Sequence, residues 1–244
     1  NYKDLKIDVI TSKQKKDYYY TYIDLNELEK DPLMSLPIPD VLDPKVTYNK
    51  MIKEIKTGTI IIMKNCDRLD NKRAETIANK LVDDLEMTYR LFIQDGKNIY
   101  INSRKIGIND PLMLMKNHKY YDSLRAGLKK ENLKDDIGYA EQIGEIDPIE
   151  LEYDDDSGKK QKGYIRVKIS LLPIRDIDRT GGPRKYDVGY DTQGFYLMRN
   201  HRQIAGGQVL GLYIRHPMLT HFRGEIDFDS NLDYEFGIQV NKSR

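Results

Sequence analysis

An α+β fold, with a mixed sheet and helices on one side, is what this 244-residue chain predicts. Three observations carry that expectation. Two alternating apolar and polar runs open the chain, at residues 5–10 and 18–25. One long stretch of helical periodicity follows, from Ala74 to Phe92. After it come several short strand-like runs, the last at Phe222–Phe228. Strands, a single long helix and then strands again call for antiparallel and mixed pairing rather than repeated strand-helix-strand units.

Residues 5–10 (Leu-Lys-Ile-Asp-Val-Ile) and Tyr18 to Leu25, joined by the polar stretch Thr11–Asp17, predict a β-hairpin. Pro32, Pro37, Pro39 and Pro44 stand too close together for a helix or a central strand, so an irregular crossing is expected there. Gly58-Thr59-Ile60-Ile61-Ile62-Met63 is continuous, apolar and β-branched, which predicts a strand buried on both faces. Asp70 or Asn71 then offers an N-cap. Ala74, Ile77, Ala78, Leu81, Val82, Leu85, Tyr89 and Phe92 recur at three-and-four spacing, predicting a helix that ends near Gly96.

Residues 99–106 read as a tight hairpin, and the charged, weakly periodic residues 116–136 as a short helix in a surface excursion. Glu145–Tyr153 and Tyr164–Leu172 predict paired strands joined through Asp154-Asp155-Asp156-Ser157-Gly158. Arg175–Asp191, with Gly181-Gly182-Pro183, reads as a polar, mobile loop. Phe195–Arg199 and Gln203–Ala205 form a further hairpin that turns at Asn200-His201 and breaks at Gly206-Gly207.

Composition bounds the function classes. Lysine plus arginine total 40 against 39 aspartate plus glutamate, a net charge of +1, so bulk charge gives no reason for an obligatory nucleic-acid or anionic-membrane partner. The one cysteine, Cys66, has no internal disulfide partner, which points to a reducing, cytoplasmic setting. No run of about 18 apolar residues predicts a membrane span, and no membrane partner is expected. The start, Asn1-Tyr2-Lys3-Asp4, shows neither an initiator methionine nor a signal-peptide pattern, so the chain reads as a piece of a longer protein.

Three segments, in order, resemble the GHKL ATPases: gyrase B, MutL, the ninety-kilodalton heat-shock chaperones and above all the MORC-like proteins. Thr57-Gly58-Thr59 with the strand to Asn65 looks like the glycine-threonine strand that ends the family's nucleotide-binding domain. Gly194-Phe195 through Asn200-His201-Arg202-Gln203-Ile204 is similar to the GF-x-x-x-x-N-x-R-x-I hairpin of MORC-type transducer domains. Arg223-Gly224-Glu225-Ile226, running on to Asn241-Lys242, is similar to the transducer strand that leads into an Asn-Lys loop.

The resemblance covers roughly residues 55–244 and implies a division of the chain. Residues 1–65 would be the last strands of a Bergerat nucleotide-binding domain, and residues 66–244 a transducer of ribosomal-protein-like fold. The asparagine-bearing helix and the Asp-x-Gly-x-Gly motif of the family do not occur here. ATP and Mg would therefore be bound mainly by polypeptide upstream, and this fragment alone is expected to be inactive. The resemblance implies that Lys242 is the catalytic cation reaching the γ-phosphate, where a point charge on a flexible stem suits a developing negative charge. Asn241 would fix that loop, and Gly58 and Thr59 would approach the adenine, the glycine because it lets backbone come close. A homodimer in the full-length protein and DNA as a candidate partner are implied likewise.

Other constellations carry less. His216 and His221 with Glu225 invite a metal reading, but Pro217 and the five-residue gap place the pair poorly, and no metal is expected. Asp154-Asp155-Asp156-Ser157-Gly158 resembles half of a calcium loop without its terminal glutamate, so a polar turn is expected instead. Lys13-Gln14-Lys15-Lys16, Lys159-Lys160-Gln161-Lys162 and Arg184-Lys185 would form a nucleic-acid surface only by converging on one face. A non-enzymatic nucleic-acid-binding or interaction module is the alternative reading.

Overall fold

The computed structural model describes residues 4–14, 17–31, 35, 37–41, 57–66, 69, 73–129, 137–154 and 158–238. The expected N-cap at Asp70 or Asn71, most of the proline-rich crossing, and Asn241 and Lys242 lie outside the described residues. Contacts divide the chain into two units, Asn1–Arg73 and Ala74–Arg244.

The first unit is an antiparallel sheet of four strands in the order β3-β2-β1-β4: β1 Lys6–Gln14, β2 Asp17–Asp24, β3 Asp40–Val41 and β4 Gly58–Lys64. The predicted hairpin is present, but its strands absorb most of the stretch expected to turn. A short helix, α1 (Leu25–Lys30), is capped by the Asp24 carboxylate, which accepts from Asn26 N at 3.1 Å. One face of the sheet carries Asp8, Ile10 and Ser12, all buried. Asp8 is fully buried at 0% exposure. It accepts from the Tyr20 hydroxyl at 2.8 Å and from Lys64 Nζ at 2.6 Å. A buried carboxylate needs such donors, since an unpaired one would cost several kcal/mol or titrate.

The expectation for Gly58–Met63 is corrected here. β4 is a strand, but it lies at the edge of its sheet, and Ile61 and Met63 are 60% and 63% exposed. Its apolar run reflects β-propensity, whereas burial on two faces depends on what else packs there. Sequence reports the first and not the second.

The second unit is an α+β body around a five-stranded mixed sheet in the order β10-β9-β11-β8-β7. Its strands are β7 Glu141–Asp154, β8 Lys160–Leu171, β9 Gly194–Arg199, β10 Arg202–Gln208 and β11 Phe222–Phe228. β11 enters the centre of the sheet, parallel to β9 and antiparallel to β8, and the remaining pairs are antiparallel. β10 runs through Gly206-Gly207 instead of breaking there. Its register shifts between Gln203 and Ala205 and again before Gln208, and Gly207 holds the positive φ of 62° that the irregularity requires. A minor hairpin, β5 (Tyr100–Ile101) with β6 (Arg104–Lys105), turns at Asn102 and Ser103, both in the left-handed region.

The predicted long helix is two. α2 (Ala74–Thr88) is interrupted at Tyr89, whose φ of -109° and ψ of 18° are not helical, and α3 (Arg90–Gln94) follows before Gly96. α4 (Tyr121–Arg125) is the short helix expected in the excursion. The segment expected to be a mobile polar loop is ordered: α5 (Ile174–Thr180) and a 3₁₀ turn (Pro183–Tyr186) fill it. Ile177, Tyr186 and Val188 form one buried cluster with Met113, Leu124 and Leu172. Arg179 ties α5 to the end of α4, donating to Leu124 O at 2.5 Å and Ala126 O at 2.7 Å. These donations satisfy carbonyls that a helix C-terminus otherwise leaves open.

Candidate functional site

The most concentrated buried chemistry in the second unit gathers on the sheet face that holds Ser170, Met198 and Glu225. Arg90, the first residue of α3, is fully buried there. Its Nη2 donates to Glu225 Oε2 of β11 at 2.6 Å and lies 3.0 Å from Met198 Sδ of β9. Its Nη1 donates to Gln203 Oε1 of β10 at 2.5 Å and to Met87 O at 2.8 Å. Nε lacks a hydrogen-bond partner and stands 3.9 Å from Asp110 Oδ1. A guanidinium cannot shed its proton in a protein, so its site must supply the counter-charge, and Glu225 does so. One cation thereby pins α3 to three adjacent strands.

Asp110 is the second carboxylate of this group, and it serves mostly its own loop. Its Oδ1 accepts from Leu112 N at 3.0 Å, and its Oδ2 from Leu114 N and Met115 N at 2.8 and 2.9 Å. Ser170 Oγ closes the same loop onto β8 by donating to Leu112 O at 3.0 Å. Beside Glu225 runs a cleft of about 670 Å³, lined by Leu91, Ile108, Leu114, Met115, Gln142 and Lys168 among others. A smaller hollow of about 260 Å³ adjoins it, with Arg166, His201 and Asp227 on its wall.

A second network sits at the tip of the β9–β10 hairpin. Asn200 and His201 make the tight turn with φ of 45° and 66°. The turn is docked onto β11, where Asp227 accepts from His201 N at 3.0 Å and from its Nδ1 at 2.5 Å. Asn200 N donates to Phe228 O at 2.9 Å, and Asn200 Oδ1 accepts from Ser230 N at 2.7 Å. Arg199 grips Asp233 through two bonds at 2.5 and 2.6 Å, and Arg166 holds Asp229 at 3.0 Å. The hairpin tip and the chain leaving β11 are thus one hydrogen-bonded unit.

Gly58 and Thr59 are both exposed, on the edge strand of the first unit. Gly58 takes a φ of 137°, where a side chain would be strained. Thr59 Oγ1 lies 2.9 Å from Thr11 Oγ1. Asn241 and Lys242 stand outside the described residues, so the described structure brings no part of the expected nucleotide site together. His216 spends its Nδ1 as a cap, accepting from Met218 N at 3.2 Å, and Glu225 is committed to Arg90. Among the described residues no group of histidines, cysteines and carboxylates is arranged to hold a metal ion. Lys160 and Lys162 of one basic cluster pair across strands with Glu152 and Glu150, at 3.7 and 2.6 Å. Lys185 turns back onto Thr180 O at 2.9 Å.

The Arg90 network was missed in the sequence, although a signal exists. Val82, Glu86 and Arg90 recur at fourfold spacing, on the face that a helix of this pattern buries. Two charged residues on that face mark a buried polar network. His118 belongs to the same class: it is buried, with Nε2 2.7 Å from Gly138 O and Nδ1 accepting from Tyr120 N at 3.3 Å. Burial pushes its pKa below the usual imidazole range.

Scanned against family models the sequence matches none, and a search of curated proteins gives no match either. Among the described residues, no helix is long and apolar enough to cross a membrane.

Proposed function

We propose that this chain is the transducer part of a GHKL-type ATPase with the closing strands of its nucleotide domain attached. In this reading ATP and Mg bind mainly to polypeptide upstream, Gly58 and Thr59 lie on the adenine side, and Lys242, steadied by Asn241, senses the γ-phosphate. Hydrolysis then drives a dimer or clamp movement in DNA-related work or protein remodelling.

The observation that carries the reading is the pairing of β9 with β11. The two transducer-like segments, Gly194–Ile204 and Arg223–Ile226, run side by side in parallel register, Gly194 opposite Arg223 and Leu197 opposite Ile226. This pairing is compatible with one continuous transducer-like unit. Both segments are also bound to α3 by one cation, since Arg90 reaches Glu225 and Gln203 together. A strand held this firmly is a suitable arm for carrying a displacement from the loop that follows it. The nucleic-acid alternative draws no support from Lys160 and Lys162, whose charges are answered by carboxylates.

The test is ATP turnover by the whole protein. Lys242→Ala should lower kcat by about 100-fold or more, as loss of a group contacting the transferred phosphate does. Unchanged turnover would overturn the sensor role. Salt-dependent DNA binding by this chain, insensitive to nucleotide in the whole protein, would favour the binding module instead.

A further inference from the structure

The four outer strands of the two large sheets are not treated alike, and β10 is interrupted by register irregularities between Gln203 and Ala205 and between Ala205 and Gln208. β7 is a long edge of fourteen residues, and it is defended. It carries Pro148, two register irregularities (between Gln142 and Gly144 and between Ile146 and Ile149) and carboxylates at Glu141, Glu145, Asp147, Glu150, Glu152 and Asp154. Proline, bulges and charge are the recognised means of stopping a free edge from pairing with another chain. β3, at one side of the four-stranded sheet, is blunted differently, being two residues long.

β4, at the other side of that sheet, has none of these devices. Its seven residues, Gly58-Thr59-Ile60-Ile61-Ile62-Met63-Lys64, contain no proline and no charge before Lys64, and its pairing with β1 is regular from Lys64 to Gly58. Among the described residues β1 is its only strand partner. Thr59, Ile61 and Met63, which share one face, are all exposed. Among the described residues this apolar edge is undefended, on a chain that elsewhere defends its edges, and such an edge is suited to pairing with a further strand.

We propose that β4 pairs with β4 of a second copy of this chain, antiparallel about a two-fold axis at Ile61. The sequence of the strand is self-complementary in that register. Gly58 faces the partner's Lys64, Thr59 its Met63, Ile60 its Ile62, and Ile61 its own counterpart, so the strands overlap along their full length. No like charges oppose each other: Lys64 is already paired with Asp8 of its own sheet at 2.6 Å, and the partner's Gly58 offers no side chain against it. Aliphatic and β-branched residues meet at every other position, the pairing that stabilises neighbouring strands. The same surface serves on both copies, as a closed two-fold interface requires. The result is a continuous eight-stranded sheet, four strands from each copy. The proposal uses neither Lys242 nor nucleotide; it shares Gly58 and Thr59 with the ATPase reading, so its variants are placed at Ile61 and Met63 instead.

The test uses the intact protein, by light scattering during gel filtration and by disulfide trapping. Dimers are expected, and Ile61→Lys, which sets two ammonium groups against each other at the axis, should raise the dissociation constant by at least about tenfold. Opposed residues of an antiparallel pair stand about 4.5–5.5 Å apart at Cα, within disulfide range. Ile61→Cys with Cys66→Ser should therefore give a peptide linked 61 to 61 on mild oxidation. Met63→Cys in the same background faces Thr59 and should trap far less. Both substituted side chains are largely exposed, and far-UV circular dichroism checks that the variants fold. A monomer at about 100 µM, a dimer indifferent to Ile61→Lys, or equal trapping at the two positions would overturn the proposal. ATP turnover is measured separately, so either idea can fail alone.

Discussion

Arg90 shows at the scale of one residue why a buried charge is kept or lost with its partner. Replacing it by methionine fills much of the space but strands Glu225, a carboxylate only 7% exposed, without its counter-charge. Arg90→Met is expected to cost about 3–5 kcal/mol in urea unfolding, and Arg90→Met with Glu225→Leu markedly less, because the pair then leaves together. Equal losses for the single and double variants would show that the charge pairing is not what holds α3. His118 makes a second prediction. Both ring nitrogens are engaged in the neutral form, and burial lowers its folded pKa below the unfolded value of about 6.5. The unfolded chain then binds the proton more readily, so this group removes stability as pH falls below about 6.5 and adds no pH dependence above it. His118→Gln should flatten the slope of urea midpoint against pH between about 6.5 and 5; an unaltered slope would place the acid sensitivity elsewhere.

At the scale of elements, the central pair of strands depends on a missing side chain. A Cβ on Gly224 of β11 would come within 2.6 Å of Phe195 Cε1 on β9. Gly224→Ala is expected to destabilise by about 1–3 kcal/mol, and adding Phe195→Leu should return part of that in the same unfolding measurement. An unshifted midpoint would mean that the two strands do not approach so closely. The two tight hairpins were readable in sequence because Asn102-Ser103 and Asn200-His201 must take left-handed backbone, which asparagine tolerates better than most residues. The start and helical character of α2 followed from periodicity, but its stop at Thr88 did not, since the apolar spacing runs on to Phe92. Nor did the ordering of residues 174–188. Ile177, Tyr186 and Val188 are interleaved with charges, and only the presence of Met113, Leu124 of α4 and Leu172 gives them a common place to bury. The edge position of β4 was hidden for a related reason, since an apolar run says how a strand is built and nothing of how many neighbours it has. Of the candidate site, the segments that meet as β9 and β11 were readable as strands, while the cation joining them to α3 came from a helix position that reads as core.

Over the whole molecule, contacts fall into two bodies that meet in sequence at Arg73 and Ala74. The larger has its own buried cluster and its own complete hydrogen-bonded sheet. Residues 74–244 made alone are therefore expected to unfold cooperatively in urea, with Arg90→Met lowering the midpoint in them as it does in the longer protein. A gradual, non-cooperative transition would show that the first body is needed to hold the second. The middle position of β11 also has a consequence for how the molecule is made. β7 with β8, and β9 with β10, are hairpins of local reach that can form as soon as each emerges from the ribosome. The strand that must slide between them is synthesised last of the five, so until residue 228 is free the nascent chain carries two half-sheets with facing sticky seams. Misfolding on the ribosome, rather than weakness of the finished protein, is where this topology is most exposed, and slower translation beyond Gln208 would lengthen that interval.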